Sequence, residues 1–79
     1  MASLKTLSVR TLEHLGALQA AVRRLAVERN QALRMLAASR GVATADAQRE
    51  FWFEFAWIDQ EYRVAVHRLA SFCAERRSS

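Results

Sequence analysis

Apolar residues in the first half of the chain recur every three or four positions. Because an α-helix has about 3.6 residues per turn, this spacing places them on one stripe of a helix. Charged residues, mostly arginine, occupy the opposite side. The pattern predicts a first helix over about residues 4–39, with Ser3 or Ser8 as its N-cap. The stripe consists of Leu4, Leu7, Leu12, Leu15, Leu18, Val22, Leu25, Leu33 and Leu36.

The second half of the chain has a similar stripe that is richer in aromatic residues. No segment alternates apolar and polar residues for long enough to predict a strand. We therefore predict a second helix over about residues 45–76. Its stripe consists of Phe51, Phe55, Ile58, Tyr62, Ala65, Leu69 and Phe72, flanked by Trp52, Val66 and Cys73.

Residues 40–44 are predicted to form the turn between the helices. Gly41 suits the left-handed position that follows a helix end, and Arg40 places a cation near the negative end of the helix dipole. Thr44 is a candidate N-cap for the second helix. Asp46 and Glu50 follow it, where negative charge is favourable.

So short a turn makes the two helices antiparallel neighbours. The fold class is therefore all-α: one helical-hairpin domain over residues 1–79. Aligning the two stripes gives an apolar partner at every level. The predicted pairs are Leu33 with Phe51, Val22 with Tyr62, Leu15 with Leu69, and Leu12 with Phe72. The predicted core and register residues are Leu18, Val22, Leu25, Arg29, Phe55, Ile58 and Tyr62.

The second helix carries more apolar surface than one facing helix can cover. All seven aromatic residues lie between Phe51 and Phe72. Phe53, Trp57 and Val64 form a row that is rotated away from the main stripe. Monomeric proteins avoid exposed patches of this kind. Two occupants fit: a second copy, giving a homodimeric four-helix bundle, or a different protein that binds to the row and to Trp52.

The size of the chain favours the same two solutions. A core built from 79 residues is marginal without a disulfide, a metal or oligomerisation. The single cysteine, Cys73, excludes an internal disulfide and fits a reducing, cytoplasmic compartment. No apolar run is long enough for a signal peptide or a membrane span, so we expect no membrane partner. The arginine and alanine bias is typical of a bacterial or phage genome.

Charge is unevenly distributed along the chain, which carries a formal net charge of +4. Residues 1–40 contain seven basic and two acidic side chains, whereas residues 45–62 contain one basic and five acidic ones. Pairing across the hairpin or a dimer explains this pattern. Arg29 lies on the apolar stripe, where it could pair with Glu54 or Asp59 and fix the register.

The sequence contains no catalytic, metal or cofactor motif. It has no phosphate-binding glycine loop, no catalytic triad in a recognisable context and no zinc signature. His14 and His67 could approach each other, but they lack a clear third ligand. We therefore expect no enzyme activity and no cofactor.

The predicted function is that of an interaction module that binds and modulates another protein as an inhibitor, adaptor or chaperone. The predicted binding residues are Trp52, Phe53, Trp57 and Val64, with Arg23, Arg24 and Arg34 as a second, polar surface. The alternative is nucleic-acid binding. A dimer of helical hairpins resembles in architecture the Rop plasmid copy-number regulators. That resemblance implies binding of RNA or DNA through the arginine face of the first helix.

Overall fold

The computed structural model of the chain, which describes residues 8–78, consists of two α-helices joined by a short turn. Helix α1 runs over Val9–Ser39 and helix α2 over Ala45–Ser78. They pack side by side as an elongated hairpin with extents of 59 × 18 × 15 Å. The predicted all-helical hairpin is therefore confirmed, and the described residues contain no strand.

Helix α1 begins at Val9, about five residues after the predicted start. The preceding residue, Ser8, has an extended backbone, and its Oγ accepts a hydrogen bond from the Thr11 backbone N–H at 3.0 Å. Such a bond satisfies one of the N–H groups that a helix start leaves unpaired. Ser8 is therefore the N-cap. Ser3, Leu4 and Leu7 lie outside the described residues.

The turn has the features that its sequence predicts. Gly41 adopts a φ of 78°, the left-handed conformation expected just after a helix end. The Ala43 backbone N–H donates to the Ser39 carbonyl at 3.0 Å and so closes the turn. Thr44 caps helix α2, since its Oγ1 accepts a hydrogen bond from the Ala47 N–H at 3.2 Å.

The hydrophobic core is very thin. Among the described residues, Ala32 and Ala65 are the only buried apolar residues, and no large side chain is fully buried. The Cα radius of gyration is 17.8 Å, against about 12 Å for a compact domain of 79 residues. All seven predicted core residues are half-buried, because two helices that touch along one line leave part of each side chain in solvent.

The register of the two helices differs from the predicted pairing. Arg29 contacts Asp59, and His14 contacts Phe72, so the helices are displaced by two to four residues relative to the pairs derived from the sequence. The prediction matched large apolar residues level by level. The structure instead places the Arg29–Asp59 ion pair between the helices.

Leu12 and Leu33 were wrongly assigned to the core stripe of helix α1. They are 52% and 44% exposed. Successive residues of an α-helix are rotated by about 100°. Leu12 and Leu33 therefore lie about 60–120° to one side of the contact line that Leu18 and Arg29 mark. Spacing by three and four accumulates such a rotation over several turns, which is why the stripe drifts.

The left-handed backbone of Gly41 generates a stability prediction. Gly41→Ala places a Cβ in a conformation that costs roughly 1–2 kcal/mol for residues other than glycine, although no atom lies within 4 Å of the new Cβ. We expect a loss of about 1 kcal/mol in the free energy of unfolding, measured by urea denaturation at fixed protein concentration.

Gly16→Ala is the matched control, because Gly16 lies within helix α1 and its Cβ would also meet no atom within 4 Å. The change should stabilise the protein by up to about 1 kcal/mol, since alanine is the better helix former. Equal effects of the two substitutions would contradict the assignment of Gly41 as the helix-terminating residue.

Candidate protein-interaction surface

An ion cluster of three side chains, Arg29, Asp59 and Arg63, joins the two helices near the middle of the hairpin. The Arg29 Nε donates to Asp59 Oδ1 at 2.6 Å, and Arg63 Nε lies 3.0 Å from Asp59 Oδ2. Both carboxylate oxygens of Asp59 are therefore engaged. Of the two carboxylates that the sequence proposed for Arg29, Asp59 is the partner. The second arginine was missed, although its i, i+4 spacing from Asp59 is a known signal for helical ion pairs.

Aromatic rings surround the Arg29 guanidinium. Its Cζ lies 5.3 Å from the ring centroid of Phe55 and 5.9 Å from that of Tyr62. The negative faces of such rings attract cations. Arg29 thus sits on the apolar stripe with its charge matched by a carboxylate and two rings, which explains how a charged residue is accommodated there.

The same contacts set the protonation of Asp59. The hydrogen bond from Arg29, supported by the charge of Arg63, lowers the pKa of the Asp59 carboxyl below its usual value of 3.8, although desolvation acts in the opposite direction. The Asp59 side chain is only 17% exposed. Asp59 therefore carries its negative charge throughout the neutral and mildly acidic range.

Three of the four predicted apolar binding residues are exposed. Phe53 is 62%, Trp57 67% and Trp52 51% exposed, whereas Val64 is half-buried. Phe53 and Trp57, here called the outer pair, lie four residues apart and so share one side of helix α2. Trp52 is not part of the outer pair, because its ring packs against Phe55 with a centroid separation of 6.0 Å.

A groove with an acidic rim runs beside the outer pair. It encloses about 260 Å³, with Phe51, Ile58 and the 54%-exposed Met35 among its apolar lining residues. Glu28 and Glu54 also line it. Glu50, one turn before Glu54, and Glu61, two turns after it, extend the acidic rim. Within residues 8–78, Glu50, Glu54 and Glu61 form no ion pair.

The opposite side of the hairpin, here called the leucine face, exposes four other large apolar side chains. They are Leu12, Leu33, Trp52 and Val66. Their rotation about each helix axis places them on the side away from the acidic groove. The ion cluster lies on this side too, since Asp59 and Arg63 share it with Val66.

The arginines of the predicted polar surface are exposed. Arg23, Arg24 and Arg34 all point away from helix α2. Arg24 lies 3.4 Å from the carboxylate of Glu28, which partly neutralises its charge. These residues form a spread of positive charge along helix α1 and not a compact pocket.

A second groove, of about 460 Å³, lies near the open end of the hairpin. His14 and His67 both line it, as the sequence suggested. The His14 ring packs edge-on against Phe72 at 5.2 Å, and His67 Nε2 lies 3.5 Å from the Ser71 hydroxyl. In the part of the chain that the structure describes, no three histidine, cysteine or acidic side chains are grouped so as to hold a metal ion.

Comparison with known proteins identifies no relative. No family model matches the chain, and no curated protein or solved structure matches it significantly. Neither helix has, among its described residues, a stretch long and apolar enough to cross a membrane.

The lowered pKa of Asp59 predicts a pH dependence of stability. Because its pKa is lower in the folded than in the unfolded chain, Asp59 stabilises the fold above the usual pKa of 3.8. This stabilisation is lost as the pH falls through the folded pKa. In Asp59→Asn, the free energy of unfolding should be lower at neutral pH and should fall less steeply below about pH 4.

Asp46→Asn is the control, because Asp46 is highly exposed and its ion pair with Arg49 is 3.8 Å long. It should retain the acid dependence of the wild type. The measurement is urea denaturation at a series of pH values between neutral and about pH 2. Identical pH profiles for Asp59→Asn and the wild type would show that the cluster does not couple protonation to folding.

Proposed function

We propose that the chain is a non-enzymatic interaction module that works as a homodimeric four-helix bundle and binds and modulates another protein. The observation that carries this proposal is the exposed outer pair, Phe53 and Trp57, beside a groove whose acidic rim includes the unpaired Glu50, Glu54 and Glu61. Roughly 1.5–3 kcal/mol is forgone for each large apolar side chain left in water. A surface of this kind gains that energy when a partner covers it.

The chemistry of the surface defines the partner. The outer pair and the groove lining of Met35, Phe51 and Ile58 offer apolar contact. The carboxylates of the rim require cations opposite them, since charged groups at an interface are arranged with complementary sign. The proposed target therefore presents an apolar patch with basic residues at its edge. Aromatic residues such as Trp57 commonly dominate the energy of such contacts.

Nucleic acid fits this surface less well than protein does. The exposed aromatic residues are bordered by glutamates, which repel phosphate groups. The three arginines predicted to bind nucleic acid, Arg23, Arg24 and Arg34, lie on helix α1, and Arg24 is paired with Glu28. Binding that falls steeply with salt and with Arg23→Ala plus Arg24→Ala would nevertheless mark a nucleic-acid partner and contradict a protein one.

The proposal predicts the effect of removing the outer pair. Phe53→Ala plus Trp57→Ala should reduce capture of the partner protein from the native host by at least tenfold, while the helical circular dichroism signal stays unchanged. The loss follows from the removal of two aromatic contacts of more than about 1 kcal/mol each. The measurement is a pull-down with quantitative mass spectrometry, which identifies the partner in the same experiment.

Val9→Ala plus Val27→Ala is the matched control, because both valines are exposed on helix α1, away from the outer pair. This variant should capture the same partner as the wild type. If the outer-pair variant loses helicity, its aromatic residues belong to the core and the proposed binding surface is wrong. If it captures every partner as well as the wild type does, the surface is not used.

A further inference from the structure

The hairpin exposes much more surface than a monomer of its size normally does. Its accessible surface is 6407 Å², whereas compact monomers of 9.0 kDa expose about 4,900 Å². The excess of about 1,500 Å² exceeds the roughly 800 Å² that each partner buries in a stable interface of standard size. The hairpin therefore leaves enough uncovered surface for a dimer interface of standard size.

The apolar residues of the leucine face are spaced for pairing with a second copy. Leu33 and Trp52 lie at neighbouring levels near the turn, and Leu12 lies near the open end. Leu12 and Leu33 are separated by 21 positions in the sequence, or about 32 Å at 1.5 Å per residue. Val66 lies close to halfway between them, as the Arg29–Asp59 and His14–Phe72 contacts fix the levels of the two helices.

A two-fold axis perpendicular to the helices and passing near Val66 brings these residues together. Leu12 of one copy then packs against Leu33 and Trp52 of the other, and the same contact forms a second time by symmetry. The two Val66 side chains meet near the axis. A closed interface of this type uses the same patch on both copies.

The spacing of the leucine face selects this arrangement over the one with both turns at the same end. With the turns at the same end, helix α1 of each copy would lie over helix α2 of the other. Leu33 would then meet Trp52, but Leu12 would lie beside residues 74–76, none of which is a large apolar residue. With the turns at opposite ends, Leu12 instead meets Leu33.

We infer that a second copy of this chain covers the leucine face, with the turns at opposite ends of the bundle. This inference rests on the proposed function only for the existence of the dimer. It adds which face is buried, which way the copies run, and that Phe53 and Trp57 stay uncovered for the partner protein. Neither copy needs to change its fold, because Leu12 of one copy and Leu33 of the other can pack together in their present positions.

Cysteine cross-linking of the full-length chain tests the inference. All variants carry Cys73→Ala, so that each has only the introduced thiol, and helicity is checked by circular dichroism before oxidation. Val66→Cys should form a covalent dimer under mild oxidation. Leu12→Cys alone should not, whereas Leu12→Cys mixed with Leu33→Cys should form the mixed dimer.

Phe53→Cys is the control, because its side chain lies outside the proposed interface, and it should form covalent dimers at the low rate of random collision. A fast covalent dimer of Leu12→Cys by itself would overturn the inferred direction. Absence of cross-links at Val66 and in the mixed sample would overturn the assignment of the leucine face as the dimer interface. Partner capture by the same helical variants is measured separately, so failure of the dimer inference is distinguished from failure of the proposed function.

Discussion

Two helices that touch along a single line can bury only a narrow stripe of each, and the whole structure depends on this geometric constraint. The stripe here is occupied by small or half-buried residues, with Ala32 and Ala65 as the only buried apolar residues among those described. The larger apolar groups lie beside the stripe, on both sides of the hairpin. The free energy that usually comes from a closed core is therefore available to contacts with other molecules.

The ion cluster gives this thin core its specificity. A purely apolar seam allows neighbouring registers at similar energy, whereas Arg29 reaches Asp59 in only one of them. The neighbouring rings of Phe55 and Tyr62 reinforce the same position. A charged residue on an apolar stripe often serves to fix register at some cost in stability. In this hairpin the cluster also lies on the leucine face, beside Val66.

The two sides of the hairpin have different chemistry, which permits two simultaneous contacts. The leucine face carries the ion cluster and four exposed apolar side chains whose spacing is symmetric about Val66. The other side combines Trp57 with a groove bordered by glutamates. A dimer formed through the leucine face leaves the side with Trp57 and the groove exposed on both copies. A partner protein that is itself dimeric would bind more tightly, because its first contact raises the effective concentration for the second contact.

Local signals in the sequence were sufficient to predict the architecture of two helices and a turn. Gly41 and Thr44 define the turn through backbone requirements that act within a few residues, and the helical spacing defines both helices. The register was not predictable from apolar pairing, because every level offered an apolar partner and the Arg29–Asp59 bond decided among the alternatives. Leu12 and Leu33 were misplaced because the stripe drifts around a long helix. The exposure of Phe53 and Trp57 was predictable, since their rotation from the main stripe follows from position alone.

The proposed dimer implies that the isolated hairpin is incomplete and that a second copy completes it. Sedimentation equilibrium of the purified chain over a wide range of concentration tests this most directly. The predicted result is a species of twice 9.0 kDa, with helicity that falls together with the mass on dilution, since the stability of such a dimer depends on concentration. A species of 9.0 kDa that stays fully helical at every concentration would contradict the claim.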